Sequence, residues 1–288
     1  MMKALIASFC LMAAFAWVPS FAGDIQEIIA SKCLRVAMIS RELPPFICTD
    51  PDGKLAGYDY EIAKRIAEEL KVELKVDRNA ATFDELVDKV EKGEADIALS
   101  KLSRTLERSK KVVFSDPYLV LRKTLIVNRL DLARRRKAEP VQDYIKHLDA
   151  NVGVIGGSSY AEFAKSMFPK AKLREYPEWN SIMADVMSGK ILCGFRDEFE
   201  VKRAMRAIPS ASIELMSIVM NDADDSIAIA ISADKMQFRY WINELIEERN
   251  LKTNVDKLIA LDADLAARSK AAPRKAPPAP AEETQKDK

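Results

Sequence analysis

The chain has 288 residues, enough for one large domain or two small ones, and 48% of them are apolar, so a core can be buried. Lys and Arg total 45 against 44 Asp and Glu, and this balance argues against a mainly electrostatic nucleic-acid-binding protein. One histidine, His147, and four cysteines without C-x-x-C spacing disfavour a His-ligated metal cluster and a zinc ribbon. We therefore expect neither a metal nor another cofactor.

Residues 1–22 predict a secretory signal. Lys3 supplies the positive start, and the apolar stretch 4–17 is shorter than the roughly 20 residues of a membrane span. Ser20 and Ala22 are the small residues expected before a cleavage site. No later segment has 18 consecutive apolar residues, so we expect an exported, soluble mature chain, cleaved near Ala22.

The next part of the chain predicts alternating strands and helices. The expected elements are a strand at 34–38, a helix at 60–70, a strand at 72–77, a helix from Phe83 to Val90 and a strand at 96–99. This β-α-β-α-β order indicates an open, largely parallel sheet that is covered by helices.

A second set of elements begins near Asn151. Strands are expected at 152–155, 191–195 and 227–231, and helices at 160–167, 181–187, 198–207, 237–248 and 255–261. The pattern predicts two similar α/β lobes, with the loops at the strand ends on one side. Residues 267–288 contain four prolines and six alanines and no aromatic or branched aliphatic residue, so they predict a disordered tail rich in Pro, Ala and Lys.

Three cysteines follow the predicted signal. Cys33 begins one predicted strand, and Cys48 ends the extended run after the bend at Pro44 and Pro45. Because disulfides persist in oxidising compartments, we expect a bridge between Cys33 and Cys48; the alternative is that all three cysteines are buried thiols. Cys193 lies in an apolar strand and is expected in the core.

Four sequence blocks occur in a fixed order between residues 34 and 261. They are LPPF at 43–46 with DGKLAGYDYEIA at 52–63; GEADIALS at 93–100, continued through Ser103, Thr105 and Arg108 to FSDPY at 114–118; VGV at 152–154 with GSS at 157–159; and GFRD at 194–197. This arrangement resembles the family 3 extracellular solute-binding proteins, the periplasmic amino-acid receptors of ABC importers.

The resemblance implies a two-lobed α/β fold of the type II periplasmic-binding-protein class. Each lobe is expected to be a mostly parallel sheet flanked by helices, with the ligand cleft between the lobes. The first lobe is expected to comprise residues 23–119 and 226–266, and the second residues 120–225, followed by the tail at 267–288.

The function implied by the resemblance is capture of an amino acid or a similar small carboxylate by closure of the two lobes. The partner is then an ABC transporter permease in the inner membrane, and the protein is expected to be a monomer and not an enzyme. Two alternatives stay open: a periplasmic dehydratase of the cyclohexadienyl or prephenate type on the same fold, and a ligand-binding sensor module.

The resemblance also implies how a zwitterion is held. Arg108 matches the arginine that binds the ligand carboxylate, and the Ser103 hydroxyl with backbone amides near Lys101 and Ser103 completes that cradle. Asp197 matches the acceptor of the ligand ammonium. Ser159 begins a helix and matches the donor from the second lobe, where a helix N-terminus favours an anion.

Ser158 and Phe83 complete the candidate site, Phe83 lying where the family often stacks an aromatic ring on the ligand. Each residue has a simpler interpretation: Arg108 as a surface arginine, Asp197 as the N-cap of the following helix, the serines as caps or turns, and Phe83 as core packing.

Lys101 departs from the pattern, because relatives usually have a small residue there. If its ammonium reaches the pocket, it could pair with an acidic ligand side chain; if it points to solvent, only its amide matters. Together with Arg196, it leads us to expect an acidic or polar ligand rather than lysine or arginine.

Overall fold

The computed structural model describes residues 24–271. The predicted signal at 1–22 and residues 272–288 of the predicted tail lie outside this range.

Strands and helices alternate along most of the chain. The strands are β1 (Cys33–Ile39), β2 (Cys48–Thr49), β3 (Leu55–Ala56), β4 (Glu73–Ala80), β5 (Ile97–Ala98), β6 (Val112–Phe114), β7 (Leu119–Asn128), β8 (Asn151–Ile155), β9 (Lys172–Tyr176), β10 (Cys193–Asp197), β11 (Leu215–Ile227) and β12 (Ala230–Ser232). The helices are α1 (Asp24–Ser31), α2 (Tyr58–Leu70), α3 (Phe83–Glu91), α4 (Arg129–Arg136), α5 (Val141–Lys146), α6 (Ser159–Met167), α7 (Trp179–Met187), α8 (Glu198–Ala207), α9 (Ala211–Glu214), α10 (Met236–Glu248) and α11 (Val255–Ala271).

The first lobe is built on a five-stranded sheet with the order β4-β1-β5-β12-β6. Strand β1 is parallel to β4 and β5, whereas β12 is antiparallel to β5 and β6. Strand β1 is nearly continuous in apolar residues because it is central and covered on both faces, while β4 at the edge alternates apolar and polar residues. Helix α2 buries the predicted apolar stripe, including Ile62, Ile66 and Leu70.

The second lobe is built on another five-stranded sheet, with the order β11-β7-β10-β8-β9. Strands β10, β8 and β9 are parallel neighbours, whereas β7 is antiparallel to both β10 and β11. Apolar clusters pack on both faces of this sheet, one around Phe195 and one around Ile182. Both sheets are therefore mixed, with two parallel and two antiparallel pairings each, rather than mostly parallel.

The two lobes are joined by neighbouring strands that lie side by side. Strand β7 leads out of the first lobe and β11 returns to it, and Leu119 pairs with Ile227 where the two strands meet the first lobe. The strand predicted at 227–231 is therefore two strands, since β11 ends at Ile227 in the second sheet and β12 begins at Ala230 in the first. The expected lobe limits, 119/120 and 225/226, fall inside this pair of strands.

The predicted disulfide is absent, since Cys33, Cys48 and Cys193 are all free thiols. Cys33 begins β1, and Cys48 lies beyond the other end of that strand. A seven-residue strand is about 20 Å long, so β1 keeps the two sulfur atoms far apart. The Cys48 thiol instead donates to the Ala56 carbonyl oxygen at 3.5 Å.

The boundary predicted for the tail at residue 267 falls inside helix α11, which continues to Ala271. Alanine, arginine and lysine favour helix, and the first proline of the tail is Pro273. Arg268 also pairs with Asp264 one helical turn earlier, at 2.7 Å. None of the helices within residues 24–271 combines the length and the hydrophobicity of a membrane span.

Gly57 connects the loop at 43–46 to the start of α2. The amides of Tyr58 and Asp59 donate to the carbonyl oxygens of Pro45 and Phe46, at 2.8 and 2.9 Å. This contact brings the backbones so close that a Cβ on Gly57 would lie 2.5 Å from the Phe46 oxygen, and the Gly57 φ of 119° is also unfavourable for other residues.

We expect Gly57→Ala to lower the free energy of unfolding by about 2–4 kcal/mol, because it adds both a clash and backbone strain. Gly53→Ala is the matched control: its φ is 83°, but no atom lies within 4 Å of the added Cβ, so strain alone costs about 1 kcal/mol. Urea denaturation of both variants measures the difference, and equal losses would contradict the role of the close approach.

Candidate functional site

All seven predicted site residues surround one cavity between the lobes. The lining residues are Phe83, Lys101, Ser103, Arg108, Ser158, Ser159, Tyr160, Arg196 and Asp197. The cavity has a volume of about 20 Å³, which is room for about one water molecule. A ligand of amino-acid size therefore requires the lobes or the lining side chains to move.

Lys101 points into the cleft and is 6% exposed. Its ammonium bridges the lobes, since Nζ lies 2.8 Å from Asp197 Oδ2 and 3.1 Å from Glu200 Oε1. It also lies 5.4 Å from the ring centre of Phe46 and 5.5 Å from that of Phe199. Of the two possibilities considered for Lys101, the structure has the ammonium in the pocket, but paired with the protein's own carboxylates.

The two carboxylate oxygens of Asp197 have different partners. Its Oδ1 accepts from the Glu200 amide at 3.0 Å and caps helix α8, while its Oδ2 faces Lys101. The N-cap interpretation and the cleft interpretation of Asp197 therefore both hold for this side chain. Its role toward a ligand stays a prediction.

Glu200 is an acidic group of the cleft that the sequence analysis did not assign to binding. Burial alone would raise its pKa, but the charges of Lys101, Arg196 and Arg203 outweigh burial and hold the pKa below its usual range. Glu200 Oε2 lies 2.7 Å from Arg203 Nη2. Glu200 is therefore an anion at neutral pH.

Arg108 is buried beside the cavity, with its guanidinium partly engaged. Nε and Nη2 donate to Asp84 Oδ1 at 3.1 and 3.0 Å, and Nη1 donates to the Ser103 carbonyl oxygen at 3.0 Å. A guanidinium has five N–H groups, so one N–H on each terminal nitrogen is left for another acceptor. Asp84, which the sequence does not mark, orients Arg108 from the first turn of α3.

Hydrogen bonds between side chains run across the cleft and end at Asp225. Ser159 Oγ donates to Ser103 Oγ at 2.9 Å, and Ser103 Oγ donates to Asp225 Oδ2 at 3.0 Å. Tyr160 Oη also donates to this oxygen, at 3.1 Å. The proton of Ser103 is thus directed to Asp225, so the predicted donation from Ser103 to a ligand carboxylate requires its hydroxyl to rotate.

Asp225 is almost fully buried in strand β11, and the sequence analysis did not identify it. Burial and then the nearby charge of Asp197 raise its pKa to about 6, against the opposing effect of Ser103 and Tyr160. Its Oδ1 is buried without a hydrogen-bond partner. No sequence signal identifies Asp225, because it falls in a stretch of acidic residues at 222–225 that is typical of an exposed loop.

The remaining predicted residues have local partners as well as a place in the cavity wall. Ser158 Oγ donates to the Ile155 carbonyl oxygen at 2.7 Å, which is the turn interpretation of this serine. Two guanidinium groups lie near the ring of Phe83, those of Arg41 and Arg108, at 5.0 and 6.0 Å from the ring centre. Phe83 is also part of the first-lobe core.

Asp59 fixes the backbone of Lys101. Its Oδ2 accepts from the Lys101 amide, and its Oδ1 accepts from Tyr118 Oη at 2.9 Å. The amide that was expected to contribute to the carboxylate cradle is therefore taken by the protein itself. Complete burial raises the pKa of Asp59 to about 7, although both hydrogen bonds oppose this shift.

Within residues 24–271, His, Cys, Asp and Glu side chains form no group of three or more that could hold a metal ion.

Comparison with known proteins gives matches of sequence and of structure. Residues 34–260 match the model of the bacterial extracellular solute-binding proteins, family 3. An arginine-binding periplasmic protein from Mannheimia haemolytica is 23% identical over 171 residues, which cover 59% of this chain and 65% of that protein. A cyclohexadienyl dehydratase from Pseudomonas aeruginosa is 29% identical over 185 residues, which cover 64% of this chain and 66% of that enzyme.

Among solved structures, an amino acid ABC transporter substrate-binding protein from Streptococcus pneumoniae, bound to L-arginine, has a TM-score of 0.64 and 28% identity. The match covers 85% of this chain and 98% of that one. The predicted two-lobed α/β fold and the resemblance found in the sequence are thereby confirmed. The matched segments span about two thirds of the length of the two curated relatives.

The raised pKa of Asp59 makes the stability of the protein depend on pH. Burial raises the pKa in the folded state from 3.8 to about 7, so the folded protein binds more protons than the unfolded chain between these values. The contribution of Asp59 is therefore fully present below about pH 4 and is lost as the pH rises through about 7.

We expect the Tm of the wild type to fall between pH 5 and pH 8 relative to Asp59→Asn, by roughly 5–10 °C. Asp52→Asn, at an exposed position, controls for the loss of one negative charge. Differential scanning calorimetry at several pH values gives the curves, and parallel curves for wild type and Asp59→Asn would disprove the assignment.

Proposed function

The chain belongs to the bacterial extracellular solute-binding proteins of family 3, and from this membership we propose that it captures an amino acid or a similar small carboxylate between its two lobes. Arg108 carries the proposal. It is a buried arginine on an interlobe cavity, and it keeps an N–H on each of its terminal nitrogens, which suits a carboxylate.

Closure of the lobes is the proposed binding step. A ligand that contacts Arg108 from the first lobe and Ser159 or Tyr160 from the second has more contacts when the lobes are closed, so its binding energy favours that form. The closed protein then delivers its ligand to an ABC transporter permease in the inner membrane, which is the proposed partner. The proposed oligomeric state of the protein is a monomer. Export by the sequence at 1–22 to the periplasm completes the proposal.

The charges of the cleft favour an acidic or polar ligand over lysine or arginine. Asp197 lines the cavity and Glu200 lies beside it on the same ammonium, and both carboxylates are paired with cations of the protein. The arginine that occupies the Streptococcus pneumoniae protein is therefore not our proposed ligand for this chain.

The enzymatic alternative has less support. A dehydratase needs a general acid that protonates a leaving hydroxyl. Two acids follow Asp197 in the chain, and both are already paired: Glu198 with Arg122 at 3.1 Å, and Glu200 with Lys101 and Arg203. We therefore propose a binding protein and not an enzyme.

Arg108→Ala is expected to weaken ligand binding by about a hundredfold or more, because the carboxylate loses its cationic partner. A thermal-shift screen over amino acids and small carboxylates identifies the ligand, and calorimetry then compares the variant with Arg104→Ala. Arg104 is exposed in the same segment and serves as the control. Unchanged affinity in a folded Arg108→Ala protein would rule out its carboxylate role.

Purified protein that is incubated with prephenate is expected to produce no phenylpyruvate, which absorbance would detect. A saturable rate that is lost in Arg108→Ala would instead establish the dehydratase alternative.

A further inference from the structure

An ammonium-binding site is built into the cleft, and a side chain of the protein occupies it. Lys101 Nζ lies between the carboxylates of Asp197 and Glu200, at 2.8 and 3.1 Å. The rings of Phe46 and Phe199 flank the same ammonium. Carboxylates combined with aromatic faces are the groups with which proteins bind ammonium ions.

We propose that Lys101 takes the place of a ligand's α-ammonium, so that the ligand of this protein is a small carboxylic acid without an amino group at that position. A 2-oxo acid, a 2-hydroxy acid or a dicarboxylic acid fits this description. The inference rests on the proposed function and narrows the ligand class of the same cleft.

The count of charges around Asp197 and Glu200 supports this inference. Lys101 and Arg203 form direct ion pairs with these carboxylates, and Arg196 Nε lies 3.6 Å from Asp197 Oδ2. Three cations thus face two carboxylates. An incoming ammonium finds no unpaired carboxylate there and meets three like charges in a largely buried site.

Asp225 is a further acid near the cleft. It does not line the cavity and is 1% exposed. Its Oδ2 already accepts from Ser103 and Tyr160. An α-ammonium could reach the free Oδ1 of Asp225 only after this hydrogen-bonded group opens, so Asp225 does not replace Asp197 as an acceptor.

The N–H groups of Arg108 and Lys101 that remain free suit a carboxylate ligand with a second oxygen on the adjacent carbon atom. Arg108 keeps an N–H on each terminal nitrogen, and the Lys101 ammonium has three N–H groups, two of which face Asp197 and Glu200. Both side chains line the cavity. A carboxylate at Arg108 and an oxo or hydroxyl oxygen at Lys101 would use these donors.

The test compares pairs of ligands that differ only at the α-carbon, with thermal shift followed by calorimetry. Suitable pairs are L-glutamate with 2-oxoglutarate, L-leucine with 4-methyl-2-oxopentanoate, and L-phenylalanine with phenylpyruvate. For the wild type, we expect the oxo acid of at least one pair to bind about a hundredfold more tightly than its amino partner.

Lys101→Gly provides the reciprocal test. Glycine suits the left-handed backbone at this position, where φ is 50°, and it vacates the ammonium position. We expect this variant to gain binding of the amino acid and to lose preference for the oxo acid. Lys110→Ala is the control, since it removes one exposed positive charge and leaves the cleft intact. The wild-type comparison decides the question even if Lys101→Gly fails to fold.

Two results would overturn the inference in distinguishable ways. If the wild type binds an amino acid more tightly than its oxo partner, Lys101 does not replace the ammonium, but the proposed function stands. Loss of that binding in Asp225→Asn would then place the ammonium at Asp225. If neither the wild type nor folded Lys101→Gly binds any amino acid or small carboxylate of the thermal-shift screen, the proposed function fails together with the inference.

Discussion

The ion pairs between Lys101 and the carboxylates of Asp197 and Glu200 link the two lobes across the cleft. The groups are almost completely buried, so the charges are poorly screened and each carboxylate depends on its cations. Asp197 also caps helix α8 through its other oxygen. The position of the Lys101 ammonium is therefore coupled to the start of α8, which in turn carries Glu200 and Phe199 to the cleft.

Within the first lobe, Lys101 is held in place by residues that lie far from it in the sequence. The close approach of Gly57 to Phe46 starts helix α2 beside the loop at 43–46. That start places Asp59 under Lys101, whose amide donates to the buried carboxylate. Phe46 from the same loop packs edge-on against Phe199 of the second lobe at 5.5 Å. The two segments of the first sequence block, 43–46 and 52–63, thus together hold the Lys101 ammonium between the lobes.

The sequence predicted the lobes from local apolar patterns and, through the resemblance of its motif blocks to a known family, seven of the nine residues that line the cavity; Tyr160 and Arg196 are the other two. Apolar spacing identifies α2 and α3, and the motif blocks identify Arg108, Ser103 and Asp197. The partners of these residues were not predictable in the same way. Asp59, Asp84 and Asp225 are single acidic residues whose roles arise from tertiary contacts, and one carboxylate in a chain with 44 acidic residues gives no signal of its own.

The errors have equally specific causes. A bridge between Cys33 and Cys48 was plausible because the bend at the two prolines suggested a return of the chain, but the length of β1 separates the thiols. The boundary predicted at residue 267 fell inside a helix because alanine was counted as a mark of disorder, whereas the alanines up to Ala271 extend α11. Lys101 could not be oriented from sequence, since its direction depends on a carboxylate 96 residues later.

The pairing of β7 with β11 has a mechanical consequence. Since Leu119 pairs with Ile227, both crossings between the lobes form one hydrogen-bonded ribbon, and that ribbon resists stretching and sliding far more than bending. The register shift between Val219 and Asp224 locally relaxes the ladder, which is where such a ribbon flexes most easily. Bending of this ribbon is therefore the motion that separates the lobes at least cost, and each closure returns Lys101 to the same carboxylates.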